Sequence, residues 1–534
     1  MLNKRISRRS FLTISAMTAA SFALDWSKIN ALAATMGNKI NYPVVVIGAG
    51  LGGLCAAAYL SKFGVPVTVV EQHMIPGGYA TAFDRGDFTF EVSLHYISIN
   101  NNTTAAILKE LGILEKLQLV SHPQQQTPEA FIETLAKQFP SERDGISGFV
   151  KEMTDIAEKT EAYSLSQKKG KLDKFLKIFS MIPKMFYLRN KTLADLLNDY
   201  VKDPKLKDLL AYRWGSYGLP PSKLSAFYYT VAMGGNLRNG LSYIRPRSQA
   251  LSNAFAEKIE HNGGKIIYGT AVQKIRVKDG AVEGVELQGG KVIPAVAVVS
   301  NASALTTFKE MLSPGVAPAD YIKKLDGYSP SISSFMVWLG LKKDVREIIK
   351  TYSVGFKTGR GVEADYQSCM KGDIEQVPYT LCVYDNIFEG YSKPGKSTLT
   401  LLSLCGYETW RKFEADYRSG RKSAYYKEKE RRTRALISRA EKDFIPGLSS
   451  MIEVKESATP LTNWNYTRNP EGAIYGFNQT VDNTFMNRLD CKTPLKGLYL
   501  ASAWANPGGG YSAVLSSGEK AFMKMVEDWG ADLK

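Results

Sequence analysis

The 534-residue sequence predicts an α/β fold in which a parallel sheet is joined by a second unit of mixed helix and strand. Three observations predict it. Val44-Val45-Val46-Ile47 runs directly into Gly48-Ala49-Gly50-Leu51-Gly52-Gly53, and a helical stretch from Leu54 to Phe63 leads to the strand Val67-Thr68-Val69-Val70, which ends on Glu71. Two further glycine loops, Pro76-Gly77-Gly78-Tyr79-Ala80-Thr81 and Pro507-Gly508-Gly509-Gly510, lie just behind the first and near the far end. Between them, 100–239 and 326–458 carry no such loop and are dense in Leu, Phe, Tyr and Met. With 44% hydrophobic and 22% charged residues the chain can build a large core, and its composition excludes a disordered, collagenous or disulfide-stapled protein.

Ahead of the first strand stands a leader. Lys4, Arg5, Arg8 and Arg9 precede an apolar run of 14 residues from Phe11 to Leu24, and Ala31-Leu32-Ala33 supplies a small-x-small cleavage pattern. A bilayer span needs about 20 apolar residues, so removal of 1–33 is the expectation and an uncleaved anchor the alternative. Ser7-Arg8-Arg9-Ser10-Phe11-Leu12 resembles the bacterial twin-arginine export signal, which implies export after folding to the periplasm or the outer face of the cytoplasmic membrane. Cys55, Cys369, Cys382, Cys405 and Cys491 form no C-x-x-C pair and have mostly apolar neighbours, which predicts buried free thiols. His73, His95, His122 and His261 are scattered, so no metal site is implied.

Strand, loop, helix, second strand and terminal acid together make a dinucleotide fingerprint, where a bare G-x-G-x-x-G would be a weak signal. Gly48 allows the tight turn, Gly50 lets backbone approach a diphosphate, and Gly53 permits close packing of helix on sheet, with Gly52 in the same loop. The helix N-terminus offers free N–H groups and partial positive charge to the diphosphate. Glu71, with Gln72 beside it, is placed to accept from ribose hydroxyls. The extra glycine loops point to FAD rather than NAD, because a long flavin dinucleotide must be wrapped along its whole length.

With these loops, the chain from about 42 to 534 resembles the FAD-dependent polyene oxidoreductases: phytoene desaturases, carotenoid isomerases and retinol saturases. Phe90-Glu91-Val92-Ser93-Leu94-His95-Tyr96 is similar to the acid-x-x-x-His-Tyr stretch of the retinol saturase branch. Trp214 to Ser222, Ser248-Gln249-Ala250-Leu251 opening a helix, Val298-Val299-Ser300-Asn301-Ala302, and Gly497 to Ala503 before the last loop and a helix from about Ser512 carry the rest. The resemblance implies an amine oxidase/phytoene desaturase-like architecture. In it a discontinuous Rossmann-type FAD-binding domain of 41–99, 240–325 and 459–534 joins an α+β substrate domain of 100–239 and 326–458. It also implies cofactor contacts from Gly77, Gly78, Thr81, Val272, Ala503, Trp504, Gly508, Gly509 and Gly510. His95 and Tyr96 fall near the flavin in this pattern, where they either donate a proton to carbon or pack the two domains together. Two departures weigh against simple transfer of activity: Tyr79 stands where amine oxidases and desaturases commonly carry Arg, and Arg245-Pro246-Arg247 replaces a more glycine-rich approach to the mid-chain helix.

In the intervening stretches, strands are expected at 331–339, 379–384 and 397–405, and the run Lys427 to Arg434 reads as a solvated helix face. From Lys168 to Lys191 eight basic residues stand against one acid, Asp173, while Leu172, Phe175, Leu176, Phe179 and Ile182 recur at helical spacing up to Pro183. Such a helix either lies in a membrane interface or packs its apolar stripe on the substrate domain. The net charge of +16 divides accordingly: four units belong to the leader and seven to this segment, which leaves an ordinary +5. Without a helix-turn-helix, zinc module or RNP-like aromatic pair, nucleic acid is not the expected partner.

These readings converge on an FAD-dependent oxidoreductase acting on carbon–carbon bonds of a hydrophobic polyene or isoprenoid lipid, by desaturation, saturation or cis–trans isomerisation. Only one complete fingerprint is present, and an exported protein meets no nicotinamide pool, so a quinone or redox-protein electron partner is expected unless the reaction is an isomerisation. Two alternatives stand: an amine oxidase-like flavoprotein, and a non-catalytic prenyl-lipid carrier, against which the intact first loop and Glu71 argue.

Overall fold

The computed structural model describes residues 42–93, 96–100, 102–122, 126–166, 181, 183–484 and 487–532. The leader, His95 and most of 168–191 therefore lie outside the described residues. β1 (Val44–Ile47) turns through the first glycine loop into α1 (Leu51–Lys62), returns as β2 (Val67–Val70), and is followed by the hairpin β3 (Ala82–Arg85) and β4 (Phe88–Glu91). A helical stretch containing α2 (Arg143–Ser166) and α3 (Ala226–Asn239) leads to α4 (Ser248–His261) and β5 (Lys265–Ile267). Next come the antiparallel β6 (Val272–Lys278), β7 (Ala281–Leu287) and β8 (Val292–Pro294), then β9 (Ala297–Ser300). Beyond them lie β10 (Ser333–Leu341), β11 (Ser353–Phe356), β12 (Tyr379–Cys382), β13 (Ser397–Cys405), α5 (Ser423–Asp443) and β14 (Ile452–Ala458), and the chain closes with β15 (Leu498–Leu500) and α6 (Tyr511–Asp532).

The first sheet is parallel throughout, in the order β15-β9-β1-β2-β5, with Val44 opposite both Val67 and Ala297. β1, β2, β9 and β15 are buried on both faces, which is why they read as continuous apolar runs without alternation. α1 begins at Leu51, three residues earlier than its apolar pattern suggests. Gly50 is extended (φ −70°, ψ 165°) and caps the helix, so Gly52 and Gly53 fall inside its first turn. α4 and α6 both pack on α1. Gly518 of α6 lies against the Gly52 carbonyl and Cys55 Cβ, and any side-chain carbon there would overlap them.

The second sheet is antiparallel, in the order β11-β12-β13-β10-β14. Almost every residue of β10 and β13 is buried, because both faces are covered. Trp410 and the apolar stripe of α5 pack on one face, and the Phe88 ring of the β3–β4 hairpin lies on the other, over Gly340. β10 starts two residues later than expected because Ser331 leaves the ladder and donates its N–H to the Gly476 carbonyl at 2.7 Å. β12 stops at Cys382, where a 3₁₀ turn over Tyr384–Asn386 begins. A third core forms among the helices of the 128–239 stretch, where Gly234 of α3 sits on the Met153 carbonyl of α2.

The charged run on α5 is not wholly solvated. Arg431 and Arg434 face water with their ion pairs, but Arg432 is buried. Its guanidinium lies 4.7 Å from the centre of the Trp410 ring, donates to the Gly372 carbonyl at 3.1 Å and pairs with Glu428 at 2.7 Å. The fully buried Trp410 needed a lid, and a guanidinium plane whose edge remains hydrogen-bonded provides one. At the described end of the basic segment, Lys184 pairs with Glu152, Lys191 pairs with Asp199, and Arg189 covers the Phe186 ring at 4.3 Å. All five cysteines are buried, and none is joined in a disulfide. No described helix is long and apolar enough to cross a membrane.

Trp410→Ala is expected to destabilise the protein by about 3–5 kcal/mol, the usual result of emptying a buried indole site. Urea unfolding should show a lowered midpoint, and Arg432→Lys, which keeps the charge but loses the planar lid, should lower it less.

Candidate cofactor and active site

The first glycine loop is shaped by what stands behind it. Gly48 has a φ of +90°. A side-chain carbon on Gly50 would strike Asn301 Oδ1, one on Gly52 the Ala501 carbonyl, and one on Gly53 the Gly48 carbonyl. Asn301 donates Nδ2 to the Ala501 carbonyl at 2.5 Å, tying the exit of β9 to that of β15. Leu54 is the first residue of α1 whose amide finds a helical acceptor, Gly50 O at 2.9 Å, so the N–H groups of Leu51, Gly52 and Gly53 are left for an anion. Glu71, 6% exposed at the end of β2, accepts from Ala49 N at 2.6 Å and from His73 N at 2.9 Å. Those bonds hold its carboxylate beside the loop with lone pairs to spare for ribose hydroxyls.

The other two loops hang on the first. Gly77 N donates to the Ala49 carbonyl at 2.7 Å and forms a parallel bridge to Gly50, while Gly77 (φ +127°) and Gly78 (φ +61°) turn the chain in a way side chains resist. Thr81 Oγ1 donates to the Gly78 carbonyl at 3.0 Å and closes this turn. In the third loop, Gly508 backs onto Gln479 and Gly509 onto the Tyr475 backbone, while Gly510 (φ +100°) leads into α6. Tyr511 Oη donates to the Tyr79 carbonyl at 2.8 Å and so joins the third loop to the second. Val272 opens β6 near Glu71, whose carbonyl accepts from Thr270 N at 3.0 Å. Gln72 turns outward and donates to the Tyr466 carbonyl at 2.8 Å.

Ala503 and Trp504 support the third loop from behind. Ala503 O accepts from Arg488 Nη2 at 2.6 Å. The Trp504 indole is 2% exposed, edge-on to Phe477 at 4.8 Å and donating to Asn469 Oδ1 at 3.1 Å, so its ring is turned into the core and its main chain borders the loop. Two buried charges lie close by. Arg488 donates to four main-chain carbonyls, and burial pulls its guanidinium down to about 10. Glu91, 1% exposed, accepts from Ser248 N at 2.9 Å and from the Ser248 hydroxyl, capping α4 from a distant strand. Burial pushes its carboxyl up to about 7 against the pull of those bonds and of Arg247.

From the third loop an aromatic wall runs toward the second sheet. Tyr228 Oη reaches the Gly509 carbonyl at 3.3 Å, and Tyr217 stands edge-on to the Tyr228 ring at 5.6 Å. Tyr475 donates to the Gly215 carbonyl at 3.1 Å. Tyr96 meets Ser216 Oγ at 3.3 Å, and its ring lies 4.8 Å beneath the Arg213 guanidinium. His122 follows, edge-on to Tyr96 at 6.1 Å and stacked on Tyr243 at 5.5 Å. Burial, then the Arg213 cation, pulls the His122 imidazole down to about 4, so it is neutral. Burial pushes the phenols of Tyr217, Tyr228 and Tyr475 up, so they remain protonated donors.

The three glycine loops are thus tied to one another beside Glu71, with Thr81 closing the second and Val272 following the strand that Glu71 anchors, and Tyr96 lies along the aromatic wall. His95 is outside the described residues. Sequence reasoning quoted Glu91, Ser248 and Asn301 only within family-like stretches and gave them no role, and it did not single out Arg488, Arg213 or His122. The one local signal among them was an acid closing the apolar strand Phe88–Glu91, a position that requires a partner.

A parallel sheet with free helix amides, a carboxylate at the end of its second strand and three interlocked glycine loops fits FAD, and defines a flavin-dependent oxidoreductase or a related isomerase. The model for flavin containing amine oxidoreductases matches residues 51–521, and the chain belongs to that family. Among known proteins it is similar to the chloroplastic prolycopene isomerase of Daucus carota, with 25% identity over 93% of this chain and 82% of the isomerase. It is likewise similar to the all-trans-retinol 13,14-reductase of Danio rerio, with 24% identity over 85% of this chain and 81% of the reductase. Solved structures share the fold. An oxidoreductase from Methanosarcina mazei superposes with a TM-score of 0.58 at 18% identity, covering 91% of this chain and all of that one. Putrescine oxidase bound to putrescine gives 0.59 at 15% identity, over 92% of this chain and 99% of the oxidase.

FAD, when bound, supplies the hydride-accepting and hydride-donating centre. The loop amides of 51–53 would hold its diphosphate and Glu71 a ribose. Gly50→Val should therefore purify with wild-type helix content by circular dichroism and without visible flavin absorbance; retention of wild-type flavin would remove the loop from the binding role. A second expectation concerns Glu91. Its folded pKa, about 7, lies above the ~4.3 of an unfolded Glu, so its contribution is complete below that lower value and is lost as pH rises through about 7. Urea unfolding between about pH 5 and about pH 8 should show a fall on the order of 3 kcal/mol at most, which Glu91→Gln flattens.

Proposed function

We propose that this FAD enzyme acts on carbon–carbon double bonds of a hydrophobic polyene or isoprenoid lipid, by desaturation, saturation or cis–trans isomerisation. The observation that carries the reading is the aromatic wall from Gly509 through Tyr228, Tyr217 and Tyr96 to His122 and Tyr243. A conjugated chain is aligned by flat apolar surfaces and few hydrogen bonds, which such a wall offers. The relatives' names support it, since one is a prolycopene isomerase and another a retinol reductase, each matched over most of its length. An amine substrate fits less well: an alkylammonium would meet the Arg213 cation. The protonated phenols can donate to a substrate, whereas neutral His122 is a weak acid and serves as packing.

Electrons would pass to or from a quinone or a redox-protein partner at the periplasmic address that the twin-arginine-like leader implies. The basic stretch 168–191 would supply peripheral contact with an anionic membrane. Lys184 and Lys191 are engaged by acids, so that contact would rest on the lysines at 168–177.

Anaerobic photoreduction followed by challenge with quinones, carotenoids and unsaturated fatty acids tests the reading. Reoxidation or isomerisation with a polyene supports it; peroxide formation from simple amines with no polyene turnover overturns it, and a colourless purified protein would favour a carrier. Replacing Lys168, Lys169, Lys171 and Lys174 with Ala should abolish most flotation with anionic vesicles, at about 1 kcal/mol per base near the surface. Unchanged flotation would count against membrane contact through this segment.

A further inference from the structure

Beside the aromatic wall, one cluster holds a cation without a carboxylate and a buried hydroxyl without a partner. Arg213, half-buried, donates Nε to Tyr212 Oη at 2.7 Å and lies over the rings of Tyr96 and Tyr212, and no carboxylate of the described residues lies within ion-pairing distance of it. Tyr217, four residues on, is 8% exposed and its Oη meets no acceptor or donor. Two more deeply buried arginines are answered, Arg432 by Glu428 and a carbonyl and Arg488 by four carbonyls, while half-buried Arg245 lies over the Phe388 ring at 4.8 Å. A guanidinium has five donors in a plane that matches an oxyanion, and an unmade hydrogen bond at a buried hydroxyl is costly, so both groups call for the same acceptor.

Resting on the polyene reading above, we infer that the substrate carries a carboxylate at one end of its unsaturated chain, received by the Arg213 guanidinium with the Tyr217 hydroxyl as a second donor. The charge count selects this end group. His122, on the far side of Tyr96, is neutral, so the cluster presents one positive charge and uncharged phenols. That balances a single negative charge, whereas an isoprenyl diphosphate would bring more charge than one guanidinium offsets. A plain hydrocarbon would leave the Tyr217 hydroxyl unsatisfied, and an alcohol would leave the cation unpaired. The remainder of the chain then lies along the ring faces of Tyr96, His122 and Tyr243, which offer stacking surface.

The test uses the purified holoenzyme and titrates protein fluorescence with a conjugated polyenoic acid, its methyl ester, its primary alcohol and an isoprenyl diphosphate. The acid is expected to bind at least about tenfold more tightly than the ester, the size of one charge-assisted hydrogen bond. Arg213→Gln should bring that ratio close to one at wild-type flavin content, and Arg213→Lys should keep part of it. Equal binding of acid and ester by the wild type, preference for the diphosphate, or an unchanged ratio in Arg213→Gln would overturn the inference. Failure of every polyene to bind, with binding of an alkylamine instead, would overturn the polyene reading itself. Polyene binding without regard to end group would leave that reading standing and remove only the carboxylate.

Discussion

At Gly52 main chain meets main chain, and the rest of the site depends on that contact. The Ala501 carbonyl lies where a side chain of residue 52 would begin, and the Gly52 carbonyl lies where one of residue 518 would begin. Two glycines thus let the edge of the parallel sheet, the first turn of α1 and the body of α6 approach to backbone distance. Filling either position would force the elements apart, and close-packed interiors yield little to such insertions. The closeness aims the free amides of α1 at a space bordered by all three glycine loops. It also explains why the loops can be linked by single hydrogen bonds, Gly77 to Ala49 and Tyr511 to Tyr79.

Buried polar groups organise the remainder, and each is settled differently. Glu91 is joined to the N-terminus of α4, where it meets orphan amide and hydroxyl donors; burial still holds it partly protonated near neutrality. Arg488 is wrapped in carbonyls, which solvate a cation without neutralising it. Arg432 is paired and also serves as a lid. Set beside these, Arg213 meets no carboxylate of the described residues and the Tyr217 hydroxyl four residues on meets no partner, and such groups are kept mostly where something else is to be bound.

What could be read from the sequence was what is local. β1, its loop, α1, β2 and Glu71 follow one another within 28 residues, and each announces the next by strand, turn and helix chemistry. The strand at 397–405 was equally plain, its leucines interleaved with the Thr and Ser that a buried strand accepts and no charged residue among them. Long-range pairings left no such trace. Ser248 and Glu91 are 157 residues apart, and Asn301 and Ala501 are 200 apart. The direction of the Trp504 indole was hidden because a motif fixes backbone and not rotamer. Arg432 looked solvated because nothing in a charge run reveals a tryptophan that needs covering. The leader, His95 and the centre of the basic stretch lie outside the described residues.

The order of strands in the parallel sheet sets a clock. Its edge strand β15 lies beyond residue 497 while its centre, β1, is made by residue 47. At synthesis rates of about 5–20 residues per second, the centre waits roughly 20–90 seconds for the edge. For almost all of that interval the nascent chain has two of its three glycine loops and no Ala501 carbonyl to pack against the first. The cofactor pocket is therefore a product of the finished chain, and a ribosome that stops early releases a polypeptide without a complete pocket, whatever its length up to the last glycine loop.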